Sequence, residues 1–225
     1  MQIIGERQNR PSAGHRLGLA SGLPELVAAK LEKIMSGDDV LCRDIVVRPA
    51  PELAAHQVMS ALYERLHRAL VGAASAHIGV SFPDVAGKPQ SLGTRLRLHA
   101  TLPALARFTA PDWLAGVRDH VSVGAALPVP PETRHRNVRR VQAKSSPERL
   151  RRRLMRRHDI DAAEASRRIP DAAAESLALP FVQLGSASTG CTFRLFIDHQ
   201  PIQPAAVAGD FNAYGLSQQA TVPWF

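Results

Sequence analysis

Cysteine is scarce in this chain, and several familiar signatures are missing. Of 225 residues only Cys42 and Cys191 are cysteines, far apart and without metal-type spacing, which suits a reducing, cytoplasmic setting. No apolar run is long enough to span a bilayer, so no membrane role is expected. Residues 1–14 are polar and lack the apolar segment of a secretory signal. The phosphate-binding loop GxxxxGK[ST] is absent. The acids are scattered, often at helix starts, so the carboxylate cluster of a two-metal nuclease is missing, as is any zinc constellation. No cofactor and no metal is therefore expected. There is no internal repeat.

What is present is basic and concentrated. Hydrophobic residues make up 45% of the chain, enough for a buried core. Residues 133–169 hold thirteen Lys or Arg against four acids, a net of +9, while the whole chain is +8. Everything outside that window therefore sums to −1, and a concentration of this kind is a nucleic-acid footprint. Within it, residues 147–158 read Pro-Glu-Arg-Leu-Arg-Arg-Arg-Leu-Met-Arg-Arg-His. Residues three and four apart share a helix face. Arg149, Arg152, Arg153, Arg156 and Arg157 then form one arc, with Leu150, Leu154 and Met155 opposite. Like charges on one face repel, and a polyanion lying along them relieves the repulsion. Guanidinium forks match phosphate oxygens in bidentate fashion. A solvated basic face is the plain alternative, which the concentration of charge argues against.

The hydrophobic pattern predicts α+β architecture. Residues 1–38 form an N-terminal extension with a short helical pattern at 24–35. Residues 40–47 read as a strand and 51–71 as a helix with Met59, Leu62, Leu66 and Leu70 on one stripe. Strands follow at 77–82 and 94–100, then an interrupted helix at 102–117 and a strand at 119–123. This β-α-β-β-α-β order is that of a ferredoxin-like, RRM-like domain over residues 39–132. A proline-rich break at 128–131 leads to a C-terminal domain, residues 133–225. It holds a basic strand (136–143), the arginine helix, a second helix and a strand-rich tail with a β-hairpin at Thr189-Gly190. Ser145 with Glu148, and Asp161 with Glu164, are capping-box patterns for the two helices.

Some residues could carry chemistry. His67 sits at the edge of the first helix's apolar stripe, one turn after Tyr63. Such a histidine serves packing more often than catalysis, though its titration range suits proton transfer. Ser186 and Ser188, two apart on a strand, face one side. Phe193 could stack on a base or sit in the core. Arg140 and Gln142 have the spacing and chemistry to read guanine and adenine. If the chain cuts RNA without metal, the RNA's own 2′-hydroxyl is the nucleophile and a histidine the base.

The stretch Val141-Gln-Ala-Lys-Ser-Ser-Pro-Glu-Arg-Leu-Arg-Arg-Arg-Leu-Met-Arg-Arg-His-Asp resembles the arginine-rich helix of the CRISPR repeat-processing endoribonucleases of type I-F (Ypest subtype) systems. The likeness extends collinearly from about residue 40 to the end, through Leu66-His-Arg-Ala-Leu, Ile78-Gly-Val-Ser-Phe-Pro-Asp, Ser186-Ala-Ser-Thr-Gly, Phe193-Arg-Leu-Phe-Ile, Tyr214-Gly-Leu-Ser and Val222-Pro-Trp-Phe. The resemblance implies a protein, monomeric when free, that binds the repeat stem-loop. It would cut at the 3′ base of the stem without metal, leave a 2′,3′-cyclic phosphate, and stay on the mature guide RNA with other subunits of the interference complex. It implies His67 as general base, Ser186 and Ser188 beside the ribose, and Tyr214 as support for the site. Phe193 would stack on the closing base pair, and Arg140 and Gln142 would read bases. Arg152, Arg153, Arg156, Arg157 and His158 would line the groove, with Arg153 nearest the scissile phosphate; Arg149 joins them as an RNA-binding residue by its place on the same helical face. Residues 1–38 have no counterpart in this pattern. A non-catalytic hairpin-binding scaffold is the alternative that the basic helix alone would allow.

Overall fold

A computed structural model describes residues 39–73, 77–85, 91–107, 111–142, 147–170, 177–185 and 190–225. The N-terminal extension, Lys144, Ser145, Ser186, Ser188 and Thr189 lie outside the described residues. The protein is an α+β molecule with antiparallel sheets. Strand β1 (Val40–Val47) sends Leu41, Ile45 and Val47 inward, and helix α1 (Ala55–Gly72) follows it. Its buried residues Val58, Met59, Leu62, Tyr63, Leu66 and Leu70 recur at the three-and-four spacing of one helical face. Next come β2 (Gly79–Ser81), β3 (Arg95–Thr101), α2 (Leu102–Arg107) and β4 (Val121–Pro128). The sheet order is β2-β3-β1-β4, with β1 in register against β3 from Val40↔Thr101 to Val46↔Arg95.

The interrupted helix resolves into α2 and two short 3-10 turns, Pro111–Leu114 and Arg118–His120. The basic strand divides into two elements. β5 (Arg134–Arg136) pairs with β9 (Val222–Trp224), while β6 (Val138–Val141) joins β7 (Phe181–Gly185) and β8 (Thr192–His199) in the order β6-β8-β7. The division falls at Asn137, whose buried amide donates to the carbonyls of Ser217 (3.1 Å) and Ala220 (2.7 Å). Helix α3 (Pro147–His158) packs on α4 (Ala162–Arg168), which Asp161 caps by accepting from the Glu164 amide at 2.7 Å.

Helix α1 packs on both β1 and β7, so one continuous core unites the two larger sheets. The C-terminal segment closes the remaining face. A side chain at Gly79 would come within 2.6 Å of Val222 and 2.8 Å of Phe211. Arg97, nearly buried, pairs with Asp44 at 2.6 Å, donates to the Phe225 carbonyl and lies over its ring. Among the described residues no helix is long and apolar enough to cross a membrane.

Candidate functional site

Two elements far apart in sequence meet at His67. Helix α1 supplies the histidine, half-buried, one turn beyond Tyr63 and next to the Glu64–Arg68 ion pair. The turn at residues 212–215 supplies its partners. His67 Nδ1 lies 2.7 Å from the carbonyl oxygen of Ala213, and its ring stacks on Tyr214 with centroids 4.0 Å apart and planes 12° apart. A carbonyl oxygen only accepts, so the contact requires the proton on Nδ1. In the neutral ring, Nε2 is then left with a lone pair.

The turn is itself tied down. Asn212 Oδ1 accepts from the amides of Tyr214 (2.8 Å) and Leu216 (3.3 Å), and Gly215, at φ +70°, donates to the Asn212 carbonyl. The Val80 amide donates to the Gly215 carbonyl at 2.9 Å, anchoring the turn on β2. Tyr63 donates its hydroxyl to the Tyr214 carbonyl at 2.7 Å. Burial, with the Tyr214 phenol beside it, pushes the Tyr63 hydroxyl well above the usual phenol range, against the opposing pull of Arg140, so it stays protonated and donating.

Arg140, on β6, places its guanidinium 5.2 Å from the centre of the Tyr214 ring on which His67 stacks. Its backbone carbonyl accepts from the Gln218 amide at 3.2 Å. The structure therefore brings His67, Tyr214 and Arg140 together. Gln142, just past the end of β6, is exposed. Phe193, opposite Leu184 in the β7–β8 ladder, is half-buried and packs against the core. β7 ends at Gly185, where an added side chain would meet Glu64 Oε1 at 3.5 Å, one turn before His67. Ser186 and Ser188 follow that point and lie outside the described residues.

The arginine helix presents two unlike faces. Arg149, Arg152, Arg153, Arg156, Arg157 and His158 are exposed; Leu150, Leu154 and Met155 are half-buried. Arg151, half-buried among the inward residues, donates from Nε to the Ile169 carbonyl at 2.7 Å and so helps fasten α3 to the end of α4. On α4, Arg167 and Arg168 both pair with Glu164 and hold its carboxyl below the usual range. These two arginines have a partner within their own helix.

Sequence reading missed the Ala213 carbonyl, the Tyr63 hydroxyl and Asn212. Asn212 and Gly215 are turn formers, so the turn was visible in principle, but not what it would touch.

The fold and site define an α+β protein with an oriented histidine beside a tyrosine and an arginine, and a separate helix carrying exposed arginines. Residues 43–225 match the model of the CRISPR-associated protein (Cas_Csy4) family. The chain is 54% identical over 182 residues to the CRISPR-associated endonuclease Cas6/Csy4 of Pseudomonas aeruginosa (strain UCBPP-PA14), covering 81% of this chain and 97% of that protein. It is 40% identical over 182 residues to the protein of the same name from Escherichia coli (strain UTI89 / UPEC), with the same coverage. The chain belongs to the Cas_Csy4 family.

Proposed function

We propose that this protein is a metal-independent endoribonuclease that processes CRISPR repeat transcripts of a type I-F system. It binds the repeat stem-loop, cuts at the 3′ base of the stem, and remains on the mature guide RNA as the other subunits of the interference complex join. The observation that carries this reading is the hydrogen bond from His67 Nδ1 to the Ala213 carbonyl, which leaves Nε2 to take a proton. The family match and the names of its relatives support the substrate class. The sheet order β2-β3-β1-β4 supports a ferredoxin-like unit over residues 39–132, with residues 133–225 as the RNA-binding part.

In the reaction, Nε2 of His67 removes the proton of the 2′-hydroxyl. The 2′-oxygen attacks the adjacent phosphorus, the bond from phosphorus to the 5′-oxygen breaks, that oxygen takes a proton from water to leave as a 5′-hydroxyl, and His67 returns its proton to the solvent. The products are a 2′,3′-cyclic phosphate and a 5′-hydroxyl strand. Tyr214 keeps the imidazole plane fixed, and Ser186 and Ser188 hold the ribose. Arg140 and Gln142 read the bases beside the cut, and Phe193 stacks on the closing pair. Arg149, Arg152, Arg153, Arg156, Arg157 and His158 grip the phosphates of the stem. Most of the acceleration comes from aligning the 2′-oxygen with the phosphorus and the leaving oxygen.

The test uses a repeat hairpin in excess chelator, with ribose or 2′-deoxyribose at the nucleotide before the cut. Cleavage of the ribose form alone, lost in His67→Ala with hairpin affinity retained, is the expected result. Tight binding of both forms with neither cut would instead make the protein a hairpin-binding scaffold.

A further inference from the structure

The site contains a second tyrosine that the reaction does not use. Tyr63 is fully buried, and its hydroxyl meets the Tyr214 carbonyl at 2.7 Å, while His67, one turn later on the same helix, meets the carbonyl of the preceding residue, Ala213, at 2.7 Å. Two adjacent carbonyls are thus tied to two residues of one helical face. The Val80–Gly215 bond ties the end of the turn to β2, and the two bonds to α1 fix how the rest of it lies against that helix. A buried phenol requires an acceptor, and phenylalanine would fill nearly the same volume without one. The ring alone therefore does not account for tyrosine at this position.

We propose that Tyr63 is a positioning residue: its hydroxyl registers the 212–215 turn against α1, so that the Ala213 carbonyl holds the His67 proton on Nδ1 and leaves Nε2 as the only lone pair of the ring. Asn212, which accepts from the Tyr214 and Leu216 amides, braces the same turn from its exposed side. The inference rests on His67 acting as the base, and it concerns how that base is kept in one tautomer.

The experiment uses the full chain with Tyr63→Phe. Three quantities are read: the single-turnover rate on an RNA repeat hairpin, the affinity for the 2′-deoxy hairpin, and the His67 tautomer from ¹⁵N chemical shifts. A small displacement of a catalytic group is costly, so the rate is expected to fall about tenfold. Affinity should be unchanged, and the nitrogen shifts should move from the Nδ1–H form toward a mixture. A wild-type rate with an unchanged tautomer would overturn the proposal and leave Tyr63 as a core ring. If the native protein cuts nothing, yet Tyr63→Phe still shifts the tautomer, the base reading fails while the positioning role stands. Should Tyr63→Phe not fold, Asn212→Ala takes its place and should show the same rate loss and tautomer shift. Asn212→Asp, which keeps the accepting oxygen, should restore both. No effect of Asn212→Ala would count against the proposal.

Discussion

Replacing Gly215 by alanine should damage the candidate site from within, and Gly190 provides the control. Both glycines have positive φ, +70° at Gly215 and +67° at Gly190. In that region an L residue costs about 1–2 kcal/mol wherever it sits. The surroundings differ. A Cβ at Gly215 would lie 2.3 Å from Val80 Cγ2 and 3.2 Å from the Ile78 carbonyl, whereas at Gly190 nothing among the described residues lies within 4 Å. Val80 is fully buried, so it has no room to withdraw, and overpacking of this kind costs about a further 1–3 kcal/mol. Gly215→Ala should therefore cost about 2–5 kcal/mol and Gly190→Ala about 1–2 kcal/mol. Urea unfolding with an unchanged m-value measures the difference. In thermal melts each kcal/mol should appear as about 2–4 °C at this chain length. Because the Gly215 turn holds His67, its alanine variant should also lose cleavage rate more than hairpin affinity. Equal destabilisation by the two substitutions would refute the steric argument and leave backbone strain as the sole effect.

Arg153→Ala should weaken hairpin binding and reduce the salt slope by about 1, whereas Arg151→Ala should loosen the α3–α4 pair and leave that slope unchanged, because Arg151 is committed to the Ile169 carbonyl. Equal salt slopes for the two variants would refute the assignment of faces on α3. Stability should also fall on acidification. Burial, reinforced by Arg97, lowers His99 to about 3, and burial, reinforced by Arg136, lowers His199 to about 4. Both values lie below the ordinary histidine value, so the stabilisation from the neutral rings is complete above about pH 6.5 and is lost as pH falls through the folded values. With two protons taken up on unfolding, the slope should approach about 2.7 kcal/mol per pH unit between roughly pH 6 and 4. Asp44 extends the loss below about pH 4. Its burial would raise the carboxyl, but the hydrogen bonds and charges of Arg97 and Arg95 outweigh that and hold it below the usual range. Urea midpoints that stay flat from pH 7 to 5 would contradict this.

The elements legible in the sequence were those whose own side chains repeat at a structural period. The α1 stripe and the two faces of the arginine helix required only spacing and residue type. The misreadings arise where a distant group decides. Residues 136–143 look like one strand, but the Asn137 amide is taken by carbonyls some eighty residues later, and the strand divides between two sheets. The first helix was expected from residue 51 and begins at Ala55, because Ala50 and Leu53 form a bridge first.

His67 shows the limit most clearly. Its position was readable from the helix and the family likeness, but a histidine at the edge of an apolar stripe is more often a packing residue. What the proposed role needs is a ring nitrogen left with a lone pair to take a proton. That is decided by the carbonyl of Ala213, 146 positions away, in a residue whose side chain carries no chemistry. Every residue has a backbone carbonyl, so a search by residue type or spacing cannot find this one. Only the fold, by bringing the 212–215 turn against α1, shows the contact on which the proposed base would depend.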